Sequence, residues 1–439
     1  MRLTLKSYFK VLKVTGKENI PKHGPIIFVS NHPSTLMDPV VIGAIVPPQL
    51  YFLAAAEFMG KGIVTWLMQK LFNMIPIYRP NTLPDKSAKN VDVFDKCFRH
   101  LSHKGSILIF PEGSSITEKK LRPLKTGVAR IAFGTEKQYD VQVQIVPVGL
   151  NYSDPHSFQS ELYVRIGSPI LTSDIDDLQL DDEFEKAKAL TQIIEKRLKD
   201  NLIHLEDEKL EALFEKVRRI SAHELRAFNA QKLRLEDKFK LDQEIQEGMA
   251  YYARRHPEVL EMITRNLDNY IRRSEFYGVG DAAISKGVGK ISWYDYMRIV
   301  LGIPVFVLGY VSNSLPYYTT IWIFRRFKIG PSFHGSIGMS IGMFLYLIWY
   351  IGWGVYVSDL TGYWWFGFLL IAVVYLAGRF TLKYLRLIFQ MRQKGKLNRL
   401  LKKDRNVLES LFEERNEIIK EIVMYSEKYK FEIAQMNPD

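Results

Sequence analysis

The stretch Ile26–Asp38, reading IIFVSNHPSTLMD, decides how this chain is read. An apolar run ends abruptly in Ser30, Asn31 and His32, and Asp38 follows after a short turn. A histidine delivered to the end of a buried strand, with a carboxylate close behind it, supplies a base and a partner to orient it. Two plainer readings fit the same residues. His32 alone fits a hydrogen-bonded loop histidine, and Asp38 before Pro39 fits a helix start with Asp as N-cap and Pro at the first helical position. Because His32 precedes Pro33, its backbone is turned away from the α region, which places it on a turn and not inside a helix.

Working outward, the opening MRLTLKSYFKVLK reads as an amphipathic helix, with Leu5, Tyr8, Phe9 and Leu12 on one face and Lys6, Lys10 and Lys13 beside it. Such a helix either lies in the interface of an anionic bilayer or packs on its own domain. It has no continuous apolar core of the kind a signal peptide carries. Further strands are expected at Tyr51–Ala56, at Met74–Tyr78, which brings Arg79 to a strand end, at Ser106–Phe110 and at Val141–Tyr152, with Pro147 inside the last of these. Helices are expected from Asp38 to before Pro47, around Ile63–Phe72 and over Asn90–His103. Tyr163–Ile166 is expected to be the last strand. Ser106–Phe110 runs into Pro111, Glu112, Gly113, Ser114 and Ser115, again placing polar groups at a strand end, where sites of α/β sheets form. Glycine permits close backbone approach, and Glu112 suits a hydroxyl or a cation. Lys125, Gly127 and Arg130 follow where a loop enters a helix, and basic side chains with free amides suit a phosphate there.

The chain has 439 residues and a formal net charge of +12, enough length for two or three domains and a balance that favours an anionic partner. Its apolar residues concentrate between about 299 and 380, with highly charged flanks, so a soluble body with a membrane-embedded part is expected and a nucleic acid is not. One cysteine, Cys97, excludes an intramolecular disulfide and a zinc cluster of cysteines. His23, His156, His204, His223, His256 and His334 are scattered without metal-ligand spacing, and His100 and His103 lie near a helix end, where a positive charge suits the dipole. Residues 181–273 are dense in Glu, Lys, Leu and Arg and are expected to form several helices. The first apolar segment, Ile299–Phe324, is interrupted by Ser312, Asn313, Ser314 and Pro316. It is either one irregular span or a re-entrant pair of short helices. Ile337–Val357 and Tyr363–Phe380 have the length of spans. Placing Arg298, Arg325, Arg326, Lys328, Arg379, Lys383 and Arg386 together in the cytoplasm favours re-entry of the first segment and a hairpin of the other two. The tail, Leu397–Ile433, carries apolar residues at helical spacing and is expected to pair with the central helices or with another subunit, forming a homo-oligomer.

Together, NHPSTLMD, IPIYR ending at Arg79, FPEGS at 110–114 and VPVGL at 146–150 resemble, in order and approximate spacing, the glycerolipid acyltransferase family of lysophosphatidate and glycerol-3-phosphate acyltransferases. The resemblance covers residues 1–170. It departs at one point: five residues, Pro33 to Met37, separate histidine from aspartate, where the family pattern has four. The resemblance implies an α/β fold, an acyltransferase-type mixed sheet flanked by helices. In this chain it is followed by a helical region, a membrane-embedded helical segment and a C-terminal amphipathic helix. The expected divisions are 1–175, a catalytic domain; 176–297, a helical domain or insert; 298–385, a membrane region; and 386–439, a cytoplasmic tail. The implied chemistry is O-acyl transfer from acyl-CoA or acyl carrier protein to glycerol-3-phosphate or 1-acylglycerol-3-phosphate. His32 is then the general base and Asp38 its partner. Arg79, Glu112 and Gly113 hold the acceptor by analogy with the family, Lys125 is a phosphate candidate on chemical grounds, and Pro147 shapes the acyl side. No metal or redox cofactor is needed. The protein is expected to be integral to a membrane, in contact with its lipids, with the catalytic domain on the cytoplasmic side. The alternative is a non-catalytic membrane scaffold or lipid-binding protein that retains the fold.

Overall fold

The computed structural model describes residues 2–46, 50–59, 62–70, 73–78, 90–228, 234–289, 291–330 and 333–436. Arg79 lies outside the described residues. The chain forms two compact units, Met1–His204 with Ile329–Met339, and Leu205–Lys328 with Ser340–Asp439.

In the first unit the strands are β1 (Val11–Thr15), β2 (Ile26–Ser30), β3 (Leu50–Ala55), β4 (Met74–Ile77), β5 (Ser106–Ile109), β6 (Gln144–Tyr152), β7 (Glu161–Ile166) and β8 (Ile170–Leu171). They make one mixed sheet in the order β1-β7-β6-β2-β5-β3-β4, with β8 pairing the start of β6. β2 lies inside the sheet, parallel to β5 on one side and β6 on the other. All its residues are buried, which is why its sequence is continuously apolar where an edge strand would alternate. Its side chains still divide between two cores. Ile26 and Phe28 pack with α1 (Arg2–Tyr8) and α2 (Met37–Ile45). Ile27 and Val29 pack with α4 (Asn90–Ser102), α5 (Gly127–Tyr139) and α6 (Glu183–Lys199). α3 (Ile63–Lys70) lies between β3 and β4 in the chain. Cys97 is wholly buried in the second core.

Four expectations change here. The N-terminal helix stops at Tyr8, and Val11–Thr15, rich in β-branched residues, pairs with β7. Leu5, Tyr8 and Phe9 are buried in the unit's own core, so this helix packs on its domain and does not offer that face to a bilayer. Tyr163–Ile166 is not the last strand, because β8 follows it. The first unit runs to His204, past the boundary expected at 175, because α6 buries Ala187, Leu190 and Ile194 against the sheet.

The second unit is helical: α7 (Glu208–Phe228), α8 (Leu235–Arg255), α9 (Pro257–Phe276), the short α10 (Asp281–Ile284), α11 (Trp293–Arg326), most of α12 (His334–Thr361), α13 (Trp364–Lys403) and α14 (Arg405–Met436). The tail expected as one helix from Leu397 is divided at Asp404 between α13 and α14. α14 pairs with α8 and α9, through Tyr252 Oη donating to Tyr425 O at 2.9 Å and an Arg273–Glu414 ion pair. A buried ion pair, Arg415 Nε to Asp281 Oδ1 at 2.8 Å, joins α14 to α10, and Tyr270 Oη donates to the same oxygen.

Three helices, α11, α12 and α13, are long and apolar enough to cross a membrane. Apolar side chains on them face outward, Leu301, Ile348 and Leu376 among them. α11 is one continuous helix through Pro304 and Pro316, not two short ones. A proline lacks the N–H that its i−4 carbonyl would accept. Pro316 thus releases Ser312 O, and Trp349 Nε1 from α12 donates to it at 2.7 Å. Asn313 donates to Gly309 O and Val374 O and accepts from Tyr350 Oη at 2.6 Å, so polar groups among apolar helices are satisfied across helices. Gly309 permits close approach of α11 and α13: a Cβ there would lie 2.3 Å from Ala377 O.

Candidate active site

The parallel register of β2 and β5 pairs Val29 with Ile109, and extending it sets His32 opposite Glu112 just beyond the strand ends. Asn31 continues β2 with its side chain. Its Nδ2 donates to Leu150 O at 3.0 Å and its Oδ1 accepts from Leu150 N at 2.9 Å, which fixes where the next residue emerges. His32 N donates to Glu112 Oε1 at 3.0 Å, and the imidazole stacks on Phe110, centroids 3.9 Å apart and planes 12° from parallel. The ring is therefore held by its backbone, by one face and by its edge.

The edge contact is to Asp38: His32 Nδ1 lies 2.9 Å from Asp38 Oδ2. The five intervening residues are absorbed in a turn in which Thr35 takes φ +34, and α2 starts at Met37. Asp38 is thus not the N-cap, which falls on Leu36. Its carboxylate points back into the turn, where Oδ2 also accepts Ser34 N at 2.8 Å and Oδ1 accepts Tyr152 Oη at 2.8 Å. Asp38 is wholly buried, whereas the His32 side chain keeps 19% of its surface exposed. Burial pushes the Tyr152 phenol well above its ordinary range, with the Asp38 charge adding to it, so the hydroxyl stays a donor. With Nδ1 facing a carboxylate, Nε2 is the nitrogen that meets solvent or substrate, and among the described residues it makes no hydrogen bond.

Glu112 is placed differently from its expectation. Oε1 accepts His32 N and Oε2 accepts Arg122 N at 3.1 Å, so both oxygens face the protein backbone. This carboxylate braces two loops. Burial pushes it up from the ordinary carboxylate range, against the pull of the Arg122 and His32 amides. Gly113 has φ +72, and a Cβ there would come 2.6 Å from Lys125 Nζ, so the lysine lies across this glycine. Gly113 and Lys125 are brought together as expected, with Lys125 exposed. Pro147 is buried inside the sheet beside Val29, at the break where β6 exchanges β8 for β7, and its carbonyl accepts Gly167 N at 2.8 Å. A residue without an N–H is tolerated at that break.

Sequence reasoning missed several residues. Tyr152 closes the third side of Asp38. Ser115 Oγ accepts Thr35 N at 2.9 Å, and Thr117 Oγ1 donates to Pro33 O at 3.0 Å, together shaping the turn between base and partner. Arg122 Nε is buried without a hydrogen-bond partner among the described residues, on the loop that Glu112 holds beside His32. The contacts of Tyr152, Ser115 and Thr117 join residues 80 or more apart in the chain, so local pattern carried no signal for them.

Residues 11–151, from the first residue of β1 into β6, match the family model Acyltransferase. The match covers about a third of the chain and includes the His32–Asp38 turn. The chain is 48% identical over 89 residues to Glycerol-3-phosphate O-acyltransferase 1 of Saccharomyces cerevisiae, a match covering 19% of this chain and 12% of the yeast protein. It is 27% identical over 139 residues to the chloroplastic 1-acyl-sn-glycerol-3-phosphate acyltransferase BAT2 of Brassica napus, covering 31% of this chain and 36% of that protein. The crystal structure of the 1-acyl-sn-glycerophosphate (LPA) acyltransferase PlsC from Thermotoga maritima aligns at 20% identity and a TM-score of 0.33, covering 45% of this chain and 75% of that one. The chain spans well under two thirds of both curated relatives. The stretch that matches the family model contains His32, Asp38, Glu112, Gly113, Lys125 and Pro147.

Proposed function

We propose that this chain is a membrane-bound O-acyltransferase of phospholipid synthesis that transfers an acyl group from a thioester donor to the hydroxyl of glycerol-3-phosphate or 1-acylglycerol-3-phosphate. The observation that carries the reading is the pairing of His32 Nδ1 with the wholly buried Asp38 carboxylate at 2.9 Å. Asp38 fixes the tautomer, so Nε2 is the basic nitrogen, and stabilises the imidazolium that forms. Nε2 takes the hydroxyl proton as the acceptor oxygen attacks the thioester carbonyl. A C–O bond forms, the C–S bond breaks, and the imidazolium returns the proton to the leaving thiolate. The donor is acyl-CoA or acyl carrier protein. Lys125, lying over Gly113, and Arg122, with its inward Nε, are the cations suited to the acceptor phosphate. Glu112 acts by holding His32 and the Arg122 loop, not by binding the acceptor. The higher identity to a glycerol-3-phosphate enzyme makes that the first acceptor to test.

Connectivity supports a membrane arrangement. Residues 1–204 and 329–339 belong to one compact unit, and among the described residues the helices between 205 and 292 include no candidate span. α12 and α13, joined at Gly362, then cross and return, and α11, one continuous helix, lies against α13 at Gly309. Arg325, Arg326 and Lys328 support a cytoplasmic position for the link between α11 and α12.

The full chain purified in detergent, supplied with a long-chain acyl-CoA and labelled glycerol-3-phosphate or 1-acylglycerol-3-phosphate, is expected to form product. His32→Ala should lose about 10²- to 10⁴-fold in kcat and remain folded. Near-normal turnover in that variant overturns the mechanism. No product from either acceptor, with either acyl-CoA or acyl carrier protein as donor, favours the scaffold.

A further inference from the structure

The turn that links His32 to Asp38 is contacted by a segment nearly 300 residues away in the chain. Residues 329–339, the end of the link after α11 and the start of α12, belong to the same compact unit as the sheet. Met339 is buried in the core that contains Phe28, Met37 and Val41. Ser336, also buried, places its Oγ 3.2 Å from Thr35 Oγ1. Gly335 lies so close to the Pro155 carbonyl that a Cβ there would be 2.3 Å from its oxygen. That carbonyl accepts Ser34 Oγ at 3.2 Å. Ser34 N, in turn, donates to Asp38 Oδ2, the oxygen that faces His32 Nδ1.

We infer that Gly335 and Ser336, in the first turn of α12, are positioning residues that hold the Ser34–Thr35 turn and through it the His32–Asp38 pair. The inference rests on the acyl-transfer reading, in which that pair is the base. Two independent paths lead from the segment to the turn. One runs from Gly335 through the Pro155 carbonyl to Ser34, and the other from the Ser336 hydroxyl to Thr35. Thr35 is the residue with positive φ, a conformation held by surrounding contacts and not by its own preference. Its N–H is taken by Ser115 Oγ and its hydroxyl by Ser336, so the strained residue is fixed at both ends. The contacts are to the turn and to the Pro155 carbonyl that holds it, so loosening them should act on orientation of the base. Misplacement of a reacting group by about 1 Å costs up to roughly 10²-fold.

The test uses the full chain in detergent with Gly335→Ala, Ser336→Ala, Thr35→Val and the Ser336→Ala/Thr35→Val pair, and the conservative Ser336→Thr. Hydrogen exchange of the peptide covering residues 31–38 reads the turn without reference to activity. Gly335→Ala and Ser336→Ala are expected to speed its exchange by about tenfold while peptides from β6 and α5 keep wild-type protection. In the same variants kcat should fall roughly ten- to hundredfold with KM for the acceptor unchanged, and Ser336→Thr should recover most of it. Thr35→Val and Ser336→Ala combined should be no worse than the more damaging single change, the signature of one shared contact. Unchanged exchange at residues 31–38 overturns the inference, and so does faster exchange with kcat intact. A wild-type chain with no acyl transfer, whose turn still responds to Gly335→Ala, overturns the proposed function and leaves the brace standing.

Discussion

Asp38 has two oxygens and three donors: His32 Nδ1 and Ser34 N on one, Tyr152 Oη on the other. With no exposed surface it has no water to replace a lost partner. Tyr152→Phe should therefore cost about 1–3 kcal/mol of stability, read from the shift in thermal unfolding, and reduce kcat less than His32→Ala does. An unchanged melting temperature would mean that the phenol is not a partner of Asp38. Glu112 makes a prediction with a definite sign. Burial raises its carboxyl above the ordinary range in the folded chain, so the native state binds this proton more tightly than the unfolded chain does. Its contribution to stability is then greatest below the ordinary carboxylate range and falls as pH rises through the folded value. Glu112→Gln should remove that component of the pH dependence. It should also lower kcat, since an amide accepts with one end only and leaves either His32 N or Arg122 N facing an NH₂ group. The same slope in the variant would place the titration elsewhere.

At the scale of elements, β2 and α11 show opposite kinds of dependence. β2 is set by its own sequence: a fully apolar run belongs in the middle of a sheet, and its neighbours β5 and β6 are equally apolar. α11 contains two prolines and a Ser-Asn-Ser run that read as breaks, yet the helix is continuous. The carbonyl released by Pro316 is satisfied by an indole from another helix, and Asn313 by Tyr350 and by backbone on either side. Trp349→Phe is expected to lower thermal stability in detergent by about 1–3 kcal/mol by leaving Ser312 O unpaired. In a Pro316→Ala background, where residue 316 supplies its own N–H, the same change should cost clearly less. Equal costs in both backgrounds would show that the indole is not replacing the missing donor.

At the scale of the whole molecule, the prediction concerns sides of a membrane. With Cys97 replaced by Ala, single cysteines at Lys328 and at Gly362 should label with a membrane-impermeant thiol reagent from opposite sides. Lys328→Cys should react from one side and Gly362→Cys from the other, because α12 follows Lys328 and Gly362 lies at the turn between α12 and α13. Labelling of both from one side would overturn the topology.

Much of the sheet-containing unit was legible from residues alone. Strand ends stop where apolar runs meet Asn, His, Pro and Gly, so His32, Glu112 and Gly113 could be placed at one edge of a sheet from hydrophobic pattern and turn chemistry. The three long apolar helices were legible for the same reason, since a bilayer-length run of apolar residues is a local property. What tertiary structure alone decided is which polar group faces which. The carboxylate of Asp38 reads in sequence both as the partner of His32 and as a helix cap, and with Tyr152 and Ser34 closed around it the structure leaves the first of these. Glu112 reads as a ligand-binding group and becomes a brace because two loops bring their amides to it. The amphipathic start of the chain reads as a membrane-surface helix or a core helix with equal ease, and the exposed edge of β7 settles it by pairing with Val11–Thr15. Hydrophobic period and turn residues are encoded within a few positions of where they act, whereas hydrogen-bond partners are fixed by register, and register joins residues that the sequence keeps far apart.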